Sequence, residues 1–369
     1  MRARAAHAAG HLAGLLRAIV LITALATGLA IGLPAPLRAE VSPAPSGTPT
    51  AELVIYWSLD EQLGAPLVEE FQAAHPDLAV RTETLLTGEI HDRVLGETAA
   101  GAGTADFVFS SAMDLQVKLA NDGFAREVVT PWSDSWPSWA KWRDTAYALT
   151  FEPAVMVYHR PSFPDGPPAS RGAFLDWLRA HDGTGGVGVL DPARSGACYL
   201  MLARDAEHFR DIWSLAAAMG RTGLSPFPTT REVLERVSDG RLLIGYNVLG
   251  SYAADWARDH PDLGIVLPRD YVVVVSRVAL IPRAARSPDL GATFLGWLMS
   301  PEGQAVLAER LRLPALSLAV EGQDRPEDLR DALGARFLPV PVSPGLLAYL
   351  DQARRERLLG RWEEAIAER

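Results

Sequence analysis

The chain has 369 residues, 45 of them acidic against 35 Lys and Arg, for a formal net charge of −10. An acidic surface argues against nucleic acid as a partner. The single cysteine, Cys198, excludes an intramolecular disulfide and a lipid anchor on a cysteine at a processing site; nothing around it suggests metal or nucleophile chemistry, so it reads as a small buried residue.

Arg2, Arg4 and Arg17 precede an apolar segment, Ala18–Leu33, that ends in Pro34-Ala35-Pro36-Leu37-Arg38-Ala39. A basic start, a short apolar core and a small final residue describe a secretory signal over residues 1–39, cleaved near Ala39. An uncleaved anchor is the alternative, because the segment is near the lower length limit for a membrane span. Removing four arginines and no acid moves the net charge from −10 to −14. Glu40–Thr50, rich in Pro, Ser and Gly, reads as a flexible tether. About 320 residues remain, more than one core usually organises, so two lobes are expected.

Leu53–Trp57 is an apolar strand, followed by a helix carrying Leu67, Val68 and Phe71 and a second strand near Leu78–Thr82. A helix over about Ile90–Ala99, a third strand at Ala105–Phe109 and a helix with Met113, Leu115, Val117 and Leu119 complete a run of alternating elements. Such alternation implies parallel β-α-β units. Ala146–Tyr158 is strand-like and interrupted at Glu152-Pro153. Further on come a helix at Ala173–His181, a strand at Val187–Leu190 and a turn from Asp191 to Gly196. Helices are expected over about Arg204–Met219 and Thr229–Ser238. Trp132, Trp136, Trp139 and Trp142 fit core or inter-lobe packing better than a sugar-stacking platform.

Leu242–Leu307 is the most informative stretch, reading LLIGYNVLGSYAADWARDHPDLGIVLPRDYVVVVSRVALIP and then SPDLGATFLGWLMSPEGQAVLAE. Leu242–Tyr246 and Tyr271–Ile281 suit buried strands, Ser251–Asp259 a helix, and Ser300-Pro301-Glu302 a helix start. With its SPEGQAVLAE ending, this arrangement resembles the type 2 periplasmic solute-binding proteins of ABC importers, in the branch of ferric-iron and organophosphate binders. The resemblance covers residues 52–310. It implies an α/β fold of two lobes, each a mixed sheet flanked by helices, with a ligand cleft between them. Residues 51–150 and 282–369 would form lobe one and 151–281 lobe two, with hinge crossovers near 150–158 and 271–281. It also implies a monomeric periplasmic receptor for a small molecule, not an enzyme, with an inner-membrane permease as partner. A sensor kinase in place of the permease, and an enzyme on the same scaffold, are the alternatives.

In parallel sheets, ligands sit beyond the carboxyl ends of strands, where helices begin. Ser58, Ser110-Ser111 and Ser195-Gly196 each occupy such a turn, where free backbone N–H groups, a hydroxyl and the positive helix end point outward together. The alternative is plain helix capping, and the two are compatible. Arg277 lies inside VVVVSRVALIP, where an unpaired charge is costly; it either leaves the hinge edge toward solvent or Glu152, or projects into the cleft onto an anionic ligand. Asn247, Ser251 and Tyr252 offer neutral groups at the same level, with turn and cap chemistry as the alternative. Together these residues favour an anion, phosphate before carboxylate.

Iron-binding relatives use two adjacent tyrosines after this lobe-two strand, where the present chain has Val248-Leu249. Tyr252 alone does not supply the hard anionic ligands Fe(III) needs. The eight histidines form no HExxH spacing and no GxSxG elbow occurs. No motif asks for a metal or a cofactor.

Overall fold

The computed structural model describes residues 51–181, 186–311, 334 and 336–367, so the expected signal and tether lie outside the described residues. In chain order the first elements are β1 (Ala51–Trp57), α1 (Glu61–Ala74), β2 (Leu78–Thr84), α2 (Thr87–Ala99), β3 (Phe107–Ser110) and α3 (Met113–Asn121). β1 pairs in parallel with both β2 and β3. Its alternation is the reason it can be central: Leu53, Ile55 and Trp57 join the core with Phe71 and Phe107, whereas Val54 and Tyr56 pack with Ile90 and Val94 on the other face.

Two short strands, β4 (Lys141–Trp142) and β5 (Ala146–Ala148), precede the first crossing to the second sheet. That sheet begins with β6 (Glu152–His159), followed by α4 (Arg171–Ala180), β7 (Val187–Leu190) and α5 (Gly196–His208). Next come α6 (Ile212–Arg221), β8 (Ser225–Phe227), α7 (Thr230–Ser238), β9 (Ile244–Leu249), α8 (Gly250–Trp256) and β10 (Leu263–Val266). The single helix expected over Arg204–Met219 is therefore two. Phe209 adopts an extended backbone at the end of α5 and its ring packs against both major cores, which breaks the helix.

The return crossing is split between the sheets. β11 (Val272–Val275) pairs with β6 in the second sheet, and β12 (Val278–Leu280) pairs with β3 and β5 in the first. Ser276 and Arg277 lie between them. The two crossings are tied directly: Leu149 N donates to Arg277 O at 3.0 Å, and Arg277 N donates to Thr150 Oγ1 at 2.8 Å. A side-chain hydroxyl thus replaces a ladder carbonyl where both strands change sheet.

α9 (Pro288–Met299) and α10 (Pro301–Glu309) return to the first sheet, with the Phe294 ring 4.8 Å from that of Phe71. The final segments do not follow them. β13 (Phe337–Pro339) pairs in parallel with β11, and α11 (Gln352–Ala367) packs on α6. This corrects the reading that the whole tail returns to lobe one. The sequence gives α11 an amphipathic face without saying what covers it. Trp362 and Ala365 bury in the second core, and Gly220 of α6 permits the approach, since a Cβ there would lie 2.2 Å from Ile366 O. The first sheet runs β2-β1-β3-β12-β5-β4 and the second β13-β11-β6-β9-β7-β8, with β10 also on β6. The tryptophans settle as packing: Trp136 and Trp139 are buried in the first core, and Trp136 Nε1 donates to Ala148 O at 2.9 Å.

Candidate functional site

A cavity of about 220 Å³ lies where turns from both sheets meet. From the first lobe it is lined by Ser58 and Asp60 after β1, Thr84–Thr87 between β2 and α2, and Ser111 before α3. From the second come Arg194-Ser195 before α5, Pro228–Thr230 between β8 and α7, and Leu249 and Tyr252 around the start of α8. Arg277 of the return crossing also lines it. Every turn runs from the carboxyl end of a strand to a helix start, so the N-termini of α1, α2, α3, α5 and α7 converge on one space. Each carries about half a positive charge at its first turn, although Gly196 N is already bonded to Thr87, Cys198 N to Ser195 and Glu232 N to Thr229.

The lobes touch around this cavity. Gly196 N donates to Thr87 Oγ1 at 3.1 Å, Arg231 Nη1 donates to Gln62 Oε1 at 2.8 Å, and Asp60 N donates to the Tyr252 hydroxyl at 3.3 Å. Gly196 is required at its contact: a Cβ there would lie 2.6 Å from Ala112 Cβ. This is the closed arrangement of a two-lobed protein.

Five of the residues expected from sequence meet at the cavity: Ser58, Ser111, Ser195, Tyr252 and Arg277. Ser58 Oγ accepts from Ser111 N at 3.2 Å and from Arg277 Nη1 at 3.1 Å, which ties the first two turns to the hinge. Ser195 lines the cavity and also caps α5, accepting from Cys198 N at 3.3 Å, so the two readings of that serine coexist. Arg277 combines its two readings: it is fully buried, its Nε lies 3.1 Å from Glu152 Oε1, and its Nη1 reaches Ser58. Burial works against its charge, but Glu152 and Tyr252 outweigh it and hold the guanidinium pKa above its usual value. Burial likewise raises the Tyr252 phenol, with Arg277 opposing.

The other five do not line the cavity. Ser110 Oγ accepts from Ala112 N at 3.2 Å, a local turn contact. Glu152 sits behind Arg277, accepting from the Thr150 hydroxyl at 2.8 Å and from the Ser251 hydroxyl at 2.7 Å, and this occupies Ser251 as well. Gly196 spends its N–H on Thr87. Asn247 has a left-handed backbone, φ 51°, and donates to Asp205 Oδ2 at 2.5 Å, inside a buried cluster with Arg171, Tyr246 and Tyr271. The left-handed backbone breaks the alternation of β9, so Asn247 shares Asp205 with its neighbour Tyr246 while Leu249, two residues on, lines the cavity.

Asp60, Thr84–Thr87, Glu89, Arg194 and Pro228–Thr230 line the cavity without having been expected there. The strand-to-helix rule would have found them had it been applied to every turn. Two turns hid from it: α2 is preceded by an apolar residue, Leu86, and β8 is three residues long with a proline inside.

These features define a two-lobed binding protein with a cavity between its sheets. Residues 66–328 match the family described as bacterial extracellular solute-binding protein. The structure is similar to the substrate-binding protein of an ABC transporter from Agrobacterium tumefaciens, with 55% sequence identity, a TM-score of 0.82, and coverage of 88% of this chain and 97% of that one. The chain therefore belongs to the bacterial extracellular solute-binding protein family and is the substrate-binding component of an ABC transporter, a non-enzymatic part with a ligand and a permease as partners. More distant structures share the fold. The periplasmic binding protein AfuA from Actinobacillus pleuropneumoniae has 16% identity and a TM-score of 0.67, covering 86% of this chain and 99% of that one. Ferric iron-binding protein A of Mannheimia haemolytica has 14% identity and a TM-score of 0.60, with the same coverages of 86% and 99%. No curated protein matches the chain.

Proposed function

We propose that the cleft captures a small organic anion, phosphate before carboxylate, and that residues 1–39 export the protein to the periplasm, where it hands the anion to its permease. The observation that carries this reading is the convergence of five helix N-termini on a cavity that also holds Arg194 and Arg277. Formal side-chain charge alone would not attract an anion: Arg194 and Arg277 face Asp60, Glu89 and the Glu152 behind Arg277. The helix ends reverse that balance, since five partial charges of about half a unit outweigh one net negative charge. Hydroxyls of Ser58, Ser111 and Ser195 supply neutral donors without burying another cation.

Size agrees, because about 220 Å³ lies below the range of pockets for drug-sized ligands and suits a small metabolite. AfuA, a fold neighbour, was crystallised with fructose-6-phosphate, so the scaffold accommodates a phosphorylated ligand of that size. Fe(III) is poorly served: among the described residues Tyr252 is the one phenol lining the cavity, and its hydroxyl is engaged with the Ser58 carbonyl and the Asp60 N–H.

Calorimetry on phosphorylated metabolites, their dephosphorylated counterparts, dicarboxylates and neutral sugars tests the reading. Arg194→Ala is the informative variant, since Arg277→Ala would strand the buried Glu152 and cost folding stability. It should weaken anion binding by about 1.5–3 kcal/mol, the range for a hydrogen bond to a charged group. Tight binding of a neutral or cationic solute, unchanged in Arg194→Ala, would refute it.

A further inference from the structure

The walls of the cavity differ in charge. Among the described residues, the second lobe contributes Arg194 and the N-termini of α5 and α7 and no carboxylate, whereas the first contributes Asp60 and Glu89. Those two acids are not equivalent. Glu89 Oε2 accepts from Leu86 N at 2.8 Å and so closes the N-terminus of α2. Asp60 holds the same kind of position before α1, yet its carboxylate makes no capping hydrogen bond and accepts none from any described residue. Its backbone N–H is held by Tyr252 and its carbonyl by Gly64 N, so the residue is fixed while its carboxylate is left open to the cavity.

We propose that Asp60 is a specificity-determining residue that accepts a hydrogen bond from a hydroxyl of the bound anion, so that the site selects hydroxyl-bearing anions over skeletons that lack the hydroxyl. This rests on the anion reading above and adds a second requirement to it. A half-desolvated carboxylate without a donor is costly, and closure removes more of its water. A ligand hydroxyl restores the lost bond as a short, charge-assisted O–H···O⁻ contact. A ligand ammonium is disfavoured, because the Arg277 and Arg231 guanidiniums already act on Asp60 and would repel a third cation. Burial raises the Asp60 pKa against the pull of both arginines, as expected of a carboxylate short of donors. The selectivity arises as in any site built to meet a hydroxyl: the analogue lacking it leaves a buried polar group unpaired.

The test uses phosphate monoesters matched in carbon skeleton from three to six carbons, one of each pair carrying hydroxyls and the other none, titrated into the full mature chain. The hydroxylated member of at least one pair should bind about tenfold to a hundredfold more tightly. Asp60→Ala, which removes the acceptor where an asparagine Oδ1 would keep one, should cut that ratio to near one through weaker binding of the hydroxylated ester, leaving the plain ester unchanged or slightly tighter. Equal binding within every pair would overturn the Asp60 assignment and leave the anion reading intact. A preference that survives in Asp60→Ala would overturn it too. If no ester binds while neutral polyols do, the anion reading fails and takes this proposal with it. Should Asp60→Ala not fold, Asp60→Asn is titrated in its place, and a ratio as large as or larger than that of the wild type would overturn the charge-assisted contact.

Discussion

Replacing Gly196 by alanine should impair closure without harming either lobe. The new methyl carbon would sit 2.6 Å from Ala112 Cβ and 3.3 Å from Thr87 Oγ1, both across the cleft. Apolar carbons rest about 3.5–4.0 Å apart, so the lobes must part by about 1 Å at this point. The Gly196 N–H bond to Thr87 Oγ1, now 3.1 Å, would then stretch beyond useful length. Overpacking costs about 1–3 kcal/mol and the lost hydrogen bond about 0.5–1.5 kcal/mol. The open form bears neither, so closure should lose about 2 kcal/mol or more. Ligand affinity measured by titration calorimetry should fall by about thirtyfold or more. Small-angle scattering should give a larger radius of gyration with ligand than the wild type shows. Urea midpoints should hold, since the open form bears no clash with Ala112 and alanine suits the first turn of α5. Ala112→Gly in the same chain removes the opposing methyl and should restore affinity. Wild-type affinity in Gly196→Ala, or no recovery in the double variant, would refute the claim that these two turns must touch for ligand to be held.

Asp114 gives a pH-dependent prediction. It is fully buried, and burial pushes its carboxyl from 3.8 up to about 6. Between those values the native chain holds a proton that the unfolded chain has lost, so stability falls as pH rises through this window and is flat above it. The cost at neutral pH is about 3 kcal/mol; Asp114→Asn should be more stable than wild type at pH 7.5 in urea titrations and equal at pH 4, and equal curves at both would refute it. Removing Asp205 should instead destabilise the chain. It accepts from the Tyr246 hydroxyl at 2.7 Å and the Tyr271 hydroxyl at 2.6 Å and lies 3.0 Å from Arg171 Nη2, all inside the second lobe. Asp205→Ala leaves Arg171 buried with only the partly exposed Asp270 as anionic partner, so unfolding should need about 3–5 kcal/mol less; a change under about 1 kcal/mol would show that the cluster is not held by this carboxylate.

Much of the architecture was written in local pattern. β1 is a continuous apolar run because both of its faces are covered, and the strand–helix alternation up to Asn121 announces a parallel sheet before any contact is known. Since such sheets put helix starts at one edge, Ser58, Ser111 and Ser195 could be assigned to the cleft by position alone. What was not legible depends on partners distant in the chain. Nothing local distinguishes Ser251, whose hydroxyl goes to Glu152, from Tyr252 beside it, which reaches Ser58 across the cleft. Asn247 looked like a cleft residue until its left-handed backbone turned it toward Asp205. The two values of Arg277, as ion-pair partner and cavity wall, could not be combined until both crossings were seen to run side by side. The helix α11 carries an amphipathic face, and its packing on α6, with Trp362 and Ala365 in the second core and Gly220 leaving room for the Ile366 backbone, is seen only in the tertiary structure. Periodicity fixes which face of an element is buried; which surface buries it is set by tertiary packing, and so are the cavity's charge balance and the open carboxylate of Asp60.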